Sequence, residues 1–387
     1  MTTADVLVIG GGLHGCSSAL HLARRGFKPL VLEKDHVGRH ASGVNAGGVR
    51  RLGRHIAEVP LSVASMEMWH HIADLVDDDC GFESNGQVKV AENEAEFATL
   101  AARVDMLRAR GFTHEELIDR AELREAVPAI AGHCVGAIIA REDGAANPYR
   151  TTLAFKRAAE RVGARFAEGA HVTDLIRAGE TWEVRTAGGE RYSAPIVVNA
   201  AGAWAGRIAT RLGEPVPLDV IAPMLMITAR LPQFLRPVIG ATGRPLSFKQ
   251  YENGTVLIGG GYRGRADLDT NRTDLDFRGL ALSAQTVWDL FPAMRGAGIV
   301  RAWAGIEACM ADEIPVIGPS STSPGLFHAF GFSAHGFQLG PVVGAIIAEL
   351  IATGTTNLPI TPFDIRRFSR LLPAHPPPML PDRKEGP

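Results

Sequence analysis

Cysteine is scarce in this chain: Cys16, Cys80, Cys134 and Cys309 are the only four in 387 residues. No two stand in a CxxC or other zinc-ligand spacing, which excludes a disulfide-stapled scaffold and gives no metal site. They read as free thiols of a reducing compartment. His70 and His71 sit in a helical pattern with no further ligand candidates beside them. An excess of one charge is lacking too. Forty basic residues face 42 acidic ones, a net charge of −2, so nothing argues for nucleic acid or an anionic membrane. The opening residues run straight into an apolar strand without a basic segment, and no signal peptide is expected. The apolar run from Pro341 to Ala348 stops at Glu349, too short to span a bilayer. A cytoplasmic protein is the expectation. No internal repeat is visible, and the proline-rich, charged end (371–387) is expected to be a flexible tail outside the fold.

What is present is a core-forming composition, 46% hydrophobic, sufficient for two structural domains. The chain opens as strand, turn, helix and strand: VLVIG, a helix stopped at Gly26, then KPLVLEK. Gly10, Gly12 and Gly15 form a G-x-G-x-x-G turn between the first strand and the helix, and Glu33 ends the second strand. Gly10 permits the tight turn, Gly12 lets the backbone approach a pyrophosphate, and Gly15 lets helix and strand pack closely. The helix N-terminus offers free N–H groups and partial positive charge. Glu33 is suited to both hydroxyls of a ribose, which argues against a 2′-phosphate and hence against NADP. NAD and FAD both remain open at this point.

Further along, helical spacing covers Leu61 to Val76, Asn93 to Arg110 with Asn93 as N-cap, and Glu115 to Val127. Residues 135–148 read as a strand ending in a turn, 151–163 as a helix, and 164–204 as strands with a hairpin at Gly188-Gly189. The stretch from Pro215 to Arg301 reads as strand-rich. Strands recur after helices over the whole length, so the pattern predicts one fold built from non-contiguous pieces.

Two segments decide for a flavin. The first is GRHASGVNAGGVRR, Gly38 to Arg51, directly after the ribose-binding strand. A single NAD needs no second glycine turn there. A flavin does, because its ring lies beyond the pyrophosphate and the backbone must pass close to it. Ser42 can donate to a phosphate, while Ala46, Gly47 and Gly48 offer a side-chain-poor surface for a flat ring. The second is GFSAHGFQLGP, Gly331 to Pro341. Its glycines precede a helix expected to begin near Pro341, whose positive end would face the pyrimidine edge of the ring.

These features, with SGVNAGGVRR, DGAANPYR, WAGIEACMADEIPVIGPS and HAFGFSAHGFQLGP, resemble the D-amino-acid oxidase superfamily of FAD-dependent amine and amino-acid oxidoreductases. Within it they look most like the β-subunit-type branch: the sarcosine oxidase β chain, the opine oxidase B subunit, and hydroxyproline or proline dehydrogenase subunits. The resemblance covers residues 5 to about 350. It implies an α/β fold with a Rossmann-like FAD-binding domain (1–85, 145–215 and 305–370). A second, mainly antiparallel β-sheet substrate domain would take 86–144 and 216–304. It implies FAD, bound non-covalently, as the cofactor. Leu13, His14, Lys34, Asn45, Gly336, Phe337 and Gln338 would join the glycines, Glu33 and Ser42 in holding it. Val172 would meet the adenine through its backbone, and the NAAGAW stretch with Ala201, Gly202 and Trp204 would close the nucleotide site.

The reaction implied is oxidation of the C–N bond of a secondary amine, imino acid or amino acid (sarcosine-, proline- or opine-like), by hydride transfer to flavin N5. A dehydrogenase, or one subunit of a heteromeric complex, is expected. The alternatives are a stand-alone oxidase releasing hydrogen peroxide and a structural FAD-binding subunit. An aromatic-hydroxylase type ranks low, because that class carries Gly-Asp-Ala where this chain has GFSAHG.

The chain departs from the relatives at three positions. Glu307 stands where many have an arginine for the substrate carboxylate in WAGxR. Gln338 replaces the lysine of the Ser-Gly-His-Gly-Phe-Lys loop of monomeric sarcosine oxidase. Leu257 aligns with the lysine that promotes oxygen reduction there, which points to another electron acceptor. Glu307 is read either as facing a cationic group of the substrate, such as the guanidinium of an arginine-derived opine, or as a structural partner of a nearby arginine. His335 is expected to shape the loop near the flavin more than to act as a base. Arg50 is a candidate carboxylate anchor above the ring, or else a solvated arginine. Lys249 or Gln250 is expected to reach the substrate pocket, one of the two by alternation. His14 and Cys16 read as backbone and packing contributions. Asn45 occupies the position of histidyl attachment in some relatives, and Cys309 lies near a cysteine used for attachment in others.

Overall fold

The first two strands explain the framework. Val6–Ile9 and Pro29–Glu33 are buried along their whole length, as strands covered on both faces must be, and they pair in parallel. In this computed structural model, which describes residues 1–369, they form the middle of a six-stranded sheet. The expected tail at 371–387 lies outside the described residues. Arg165–Glu168 joins the sheet on one side, and Ile196–Asn199 and Leu326–Phe330 on the other, all in parallel. Val316–Pro319 completes that edge antiparallel. Three distant stretches of chain therefore meet in one sheet.

Helices Leu13–Arg24, Pro148–Arg161 and Gly336–Thr353 cover one face, with Val59–His70 packed on the last. A small sheet containing Val172–Ala178, Thr181–Thr186 and Arg191–Ala194 covers the other face around Trp182 and Val184. Gly336–Thr353 is long and apolar enough to cross a membrane by length and composition, and it is longer than the apolar run read from sequence. Here it is a core helix. Its close approach to Leu13–Arg24 depends on Gly344, where a Cβ would fall 2.1 Å from Ser17 Oγ.

A second sheet of eleven strands is antiparallel except where Gln87–Ala91 runs parallel to Val238–Ala241. Its spine is the long strand Leu218–Thr228. The first half of that strand pairs with Glu307–Met310, and the second half with Val256–Gly259 and Ile299–Ala304. Val88, Val90, Phe248, Ile258 and Phe291 lie in the core behind this sheet.

Several elements differ from the sequence pattern. Glu115 to Val127 is not one helix. Glu116–Asp119 pairs as a strand with Gly136–Ala140, and the Asp119–Glu122 capping box starts a helix only at Arg120. The strand-rich stretch before Arg301 contains a helix, Phe277–Leu290, capped by Asp276. The late helix begins at Gly336, a turn before Pro341, so the proline sits inside it. Trp69 Nε1 and Ser65 Oγ both donate to the Gln338 carbonyl and hold that first turn in place. Asn93 does cap Glu94–Arg108, accepting from Glu96 N–H.

Candidate active site

One cavity of about 840 Å³ runs from the glycine turn to the second sheet. Its nucleotide end is mostly backbone. Gly10, Gly12, Leu13 and His14 line it at the start of the first helix, facing Val172 and the Ala201-Gly202 turn with Trp204. Gly10 has φ +108°, and a Cβ there would lie 2.4 Å from the Ala200 carbonyl oxygen. Gly15 does not line the cavity. It is pressed against the turn, where a Cβ would be 1.9 Å from the Gly10 oxygen. Glu33 accepts Gly11 N–H on Oε2 at 2.7 Å and Asp35 N–H on Oε1 at 2.9 Å. Each oxygen keeps a lone pair for a further donor such as a ribose hydroxyl. Burial pushes this carboxyl up. Lys34 Nζ lies 4.0 Å above the Trp204 ring and donates to Asp35 and Asn271.

The second glycine segment forms the wall beyond. Ser42 Oγ accepts Leu13 N–H at 2.9 Å, which leaves its own proton free for a phosphate oxygen. Asn45 is tied into its loop, accepting Gly47 N–H and donating to the Ala41 carbonyl. Ala46, Gly47 and Gly48 all line the cavity. At Gly48 an added Cβ would meet nothing within 4 Å among the described residues, so this stretch presents bare backbone to the open space. A helix N-terminus, a buried acid at the ribose position and a side-chain-free wall are what a dinucleotide with a flat ring requires. The residues fit FAD.

At the ring end, Gly336 and Phe337 line the cavity with His335. His335 Nδ1 lies 3.2 Å from Glu58 Oε2, without the alignment of a hydrogen bond. Arg54 braces the loop: it donates to the His335 carbonyl at 2.8 Å, to the Arg50 carbonyl at 3.0 Å and to Gln338 Oε1 at 3.2 Å. Burial brings the His335 pKa down to about 4, only partly offset by Glu58, so the ring is neutral at pH 7. Glu58 is fully buried. Burial opposes its ionisation, but His335, Arg54 and Arg50 outweigh that and hold its pKa below the usual range. Arg50 faces the cavity, and its charge is set in a dry surrounding. His14 stacks flat on Phe332 at 3.6 Å, and burial keeps it neutral, with a pKa near 3.

Glu307 also lines the cavity. Its Oε1 accepts Ala334 N–H at 2.8 Å and so holds the loop where Ser333 and Ala334 adopt positive φ. Burial raises its pKa to about 7, and Arg263 acts on it only at a distance. The acid thus steadies the loop and faces the open space at once.

Three expected residues lie elsewhere. Gln338 does not line the cavity: its amide is fully buried, donating to the Ser62 carbonyl and accepting from Ser62 and Arg54. The side chain joins two helices, because the early helix start turns this position inward. Lys249 lines a second cavity of about 490 Å³ instead. Its ammonium has no hydrogen-bond partner among the described residues, lies 3.2 Å from where a Cβ on Gly47 would stand, and is depressed to about 7 by burial. Gln250 is spent on loop carbonyls and on Phe234 and Leu235 N–H. Leu257 is a core residue directly across the ladder from Lys249. A lysine therefore does stand beside the glycine wall, and Leu257 by itself says nothing about the electron acceptor. Cys309 is not among the cavity residues.

Sequence reasoning missed Arg54, Glu58, Gln87, Lys89 and Arg263. For Gln87 and Lys89 the signal was there, in the alternation of QVKVA. For Arg54 and Glu58 no periodic pattern marks burial.

Comparison with known proteins agrees with this geometry. The B subunit of opine oxidase from Agrobacterium tumefaciens (strain Ach5) is 31% identical, over 95% of this chain and 98% of its own length. The crystal structure of L-proline dehydrogenase from P. horikoshii superposes with a TM-score of 0.88 at 28% identity, covering 95% of this chain and 98% of that one. Glycine oxidase from Geobacillus kaustophilus superposes with a TM-score of 0.87 at 25% identity, covering 95% and 99%. The family described as FAD dependent oxidoreductase (DAO) matches residues 5–350. With a cradle shaped for FAD and a family match over nearly its whole length, this chain belongs to the DAO family of FAD-dependent oxidoreductases.

Proposed function

We propose that the chain oxidises the C–N bond of a secondary amine, imino acid or amino acid, with FAD held non-covalently. FAD, when bound, supplies the hydride acceptor. The observation that carries this reading is the shared space: the bare Ala46–Gly48 wall, Arg50 and Glu307 open into one cavity. Arg50 is suited to hold the substrate carboxylate, since a guanidinium in a dry wall offers a two-pronged, permanently charged donor. Glu307, with a pKa near 7, can face the substrate's cationic group and take up its proton at neutral pH. That uptake matters because the nitrogen must be neutral when its C–H bond breaks. Neutral His335 serves the loop, with its carbonyl held by Arg54. Non-covalent attachment is supported by Asn45, whose amide is engaged in its own loop, and by Cys309 lying outside the cavity wall.

A dehydrogenase or one subunit of a heteromeric oxidoreductase in the cytoplasm is our reading. It is supported by relatives described as the B subunit of an opine oxidase. The second reading, a stand-alone oxidase, is favoured by the Lys249 ammonium behind Gly47. One experiment tests both. The purified flavoprotein is mixed anaerobically with sarcosine, proline, D-amino acids and opines, and bleaching of the flavin is followed. Bleaching by one class is expected, with slow recolouring in air for a dehydrogenase and fast recolouring for an oxidase. A flavin that dithionite bleaches and no amine does would overturn the reading.

A further inference from the structure

We propose that the hairpin of Arg263–Asp267 and Arg272–Asp274, part of the second sheet, latches the nucleotide end of the cavity, with Asn271 as a positioning residue for FAD retention. Such a latch acts on the cofactor whatever amine is oxidised, so it stands apart from the amine-oxidation reading.

The tip of the hairpin is shaped by its own sequence. Strand pairing ends where Asp267 faces Arg272. Asp267 Oδ1 then accepts Asp269 N–H at 2.8 Å and Thr270 N–H at 3.2 Å, which closes the turn. Asn271 follows at φ +63°, a left-handed conformation that asparagine tolerates better than most residues. Leu268 packs with Trp204 in a small apolar cluster around Ala203 and Ile306.

Four hydrogen bonds tie this tip to the segments that follow two strands of the first sheet. Trp204 Nε1 donates to the Leu268 carbonyl at 3.2 Å, and Arg207 donates to Asp269 at 2.6 Å. Asn271 uses both ends of its amide. Its Oδ1 accepts from Lys34 Nζ at 2.7 Å, and its Nδ2 donates to Asp35 Oδ2 at 2.9 Å. The same Asp35 oxygen accepts from Lys34 at 2.7 Å and lies 2.8 Å from His40 Nε2. Lys34, His40, Trp204 and Arg207 line the cavity, whereas Asp35 and the tip residues do not. The tip therefore holds side chains of the nucleotide wall without facing the nucleotide itself. Long side chains in a binding wall must be ordered when a ligand binds, and ordering them beforehand lowers that cost. Opening the wall requires the tip to let go, so the latch slows the departure of FAD.

The test follows FAD release from the diluted holoenzyme by the rise in flavin fluorescence. Asn271→Gly keeps the left-handed backbone and removes both amide contacts. Release is expected to be about tenfold faster, the scale of one net hydrogen bond transmitted to the wall. Asp269→Ala breaks only an exposed ion pair, and about a twofold increase is expected. Unfolding, followed by circular dichroism under the same conditions, is expected to be slower than release in wild type and variants alike. The absorption spectrum of the bound flavin is expected to be unchanged. Wild-type release rates in both variants would overturn the proposal. So would release that quickens only as far as unfolding does, because the tip would then merely join the two sheets. A shifted flavin spectrum would place the effect at the ring and overturn it as well.

Discussion

The two ends of the cavity are made of different materials. At the nucleotide end the groups facing a ligand are backbone N–H groups, glycines and one buried acid, and most come from the first 50 residues. At the end we propose for the substrate they are long charged side chains, brought from the Arg50–Arg54 segment, the strand at 87–91, the strand at 263–267 and the strand at 307–310. Backbone geometry recognises what all dinucleotides share, a pyrophosphate and a flat ring. Side-chain charge recognises what distinguishes one substrate from another. A region of the first kind tolerates almost no change in shape. A region of the second kind can change its residues while the fold stands.

This contrast can be broken from either side. The largest effect is expected at the nucleotide end from Gly15→Val. A Cβ at 15 overlaps the Gly10 carbonyl, so turn and helix cannot both keep their places. The purified variant should carry essentially no flavin by visible absorbance, and a yellow, stoichiometric holoprotein would contradict the account.

Arg54→Met comes next. It deprives fully buried Glu58 of one of the cations that favour its ionised form and removes three hydrogen bonds to the loop and the late helix. Orphaning a buried charge costs about 3–5 kcal/mol, which denaturant unfolding should register.

Arg50→Met should separate the two ends most cleanly. Flavin content should stay as in the wild type, while kcat/KM for anaerobic flavin reduction falls by about 100-fold, the scale of a lost carboxylate contact. Equal losses in flavin content and reduction would show that the ends are not independent.

The smallest effect concerns Glu307 and pH. Its carboxyl is raised to about 7 by burial, above the value of a free chain, so the folded protein binds this proton more tightly than the unfolded one. Its contribution to stability is therefore full at low pH and is lost as pH rises through about 5 to 7. Glu307→Gln removes that slope and keeps an acceptor for Ala334 N–H. It should stabilise the protein by about 1–2 kcal/mol near pH 8 and leave it unchanged near pH 5. Thermal unfolding at the two pH values checks this. An unchanged preference for cationic substrates in the same variant would also remove guanidinium recognition from the role of Glu307.

Legibility in the sequence followed the same division. Gly10, Gly12, Glu33 and the Ala46–Gly48 wall line the cavity where short-range spacing put them, because each acts within a few residues of a strand end. Asn93 could be read as a cap for the same reason. Glu116–Asp119 read as helix because its partner, Gly136–Ala140, lies across a helix in the sequence and no local pattern announces the pairing. Phe277–Leu290 was hidden among strands although Asp276 and its apolar spacing were present. Gln338 was misplaced for a subtler reason. Moving the helix start from Pro341 to Gly336 rotates the side chain away from the cavity and into contact with Ser62.

The amino-acid order was enough for the cofactor cradle and the α/β framework, since glycine spacing and buried strands act through backbone contacts only a few residues apart. Which charges share the substrate end was a matter of three-dimensional packing. Glu58 was an ordinary polar residue until burial set it against His335, a residue from the far end of the chain. Lys89 became a bare cation only because Arg103 had taken Glu115. Long-range electrostatics depends on what is buried beside what, and that is a property of the packed molecule.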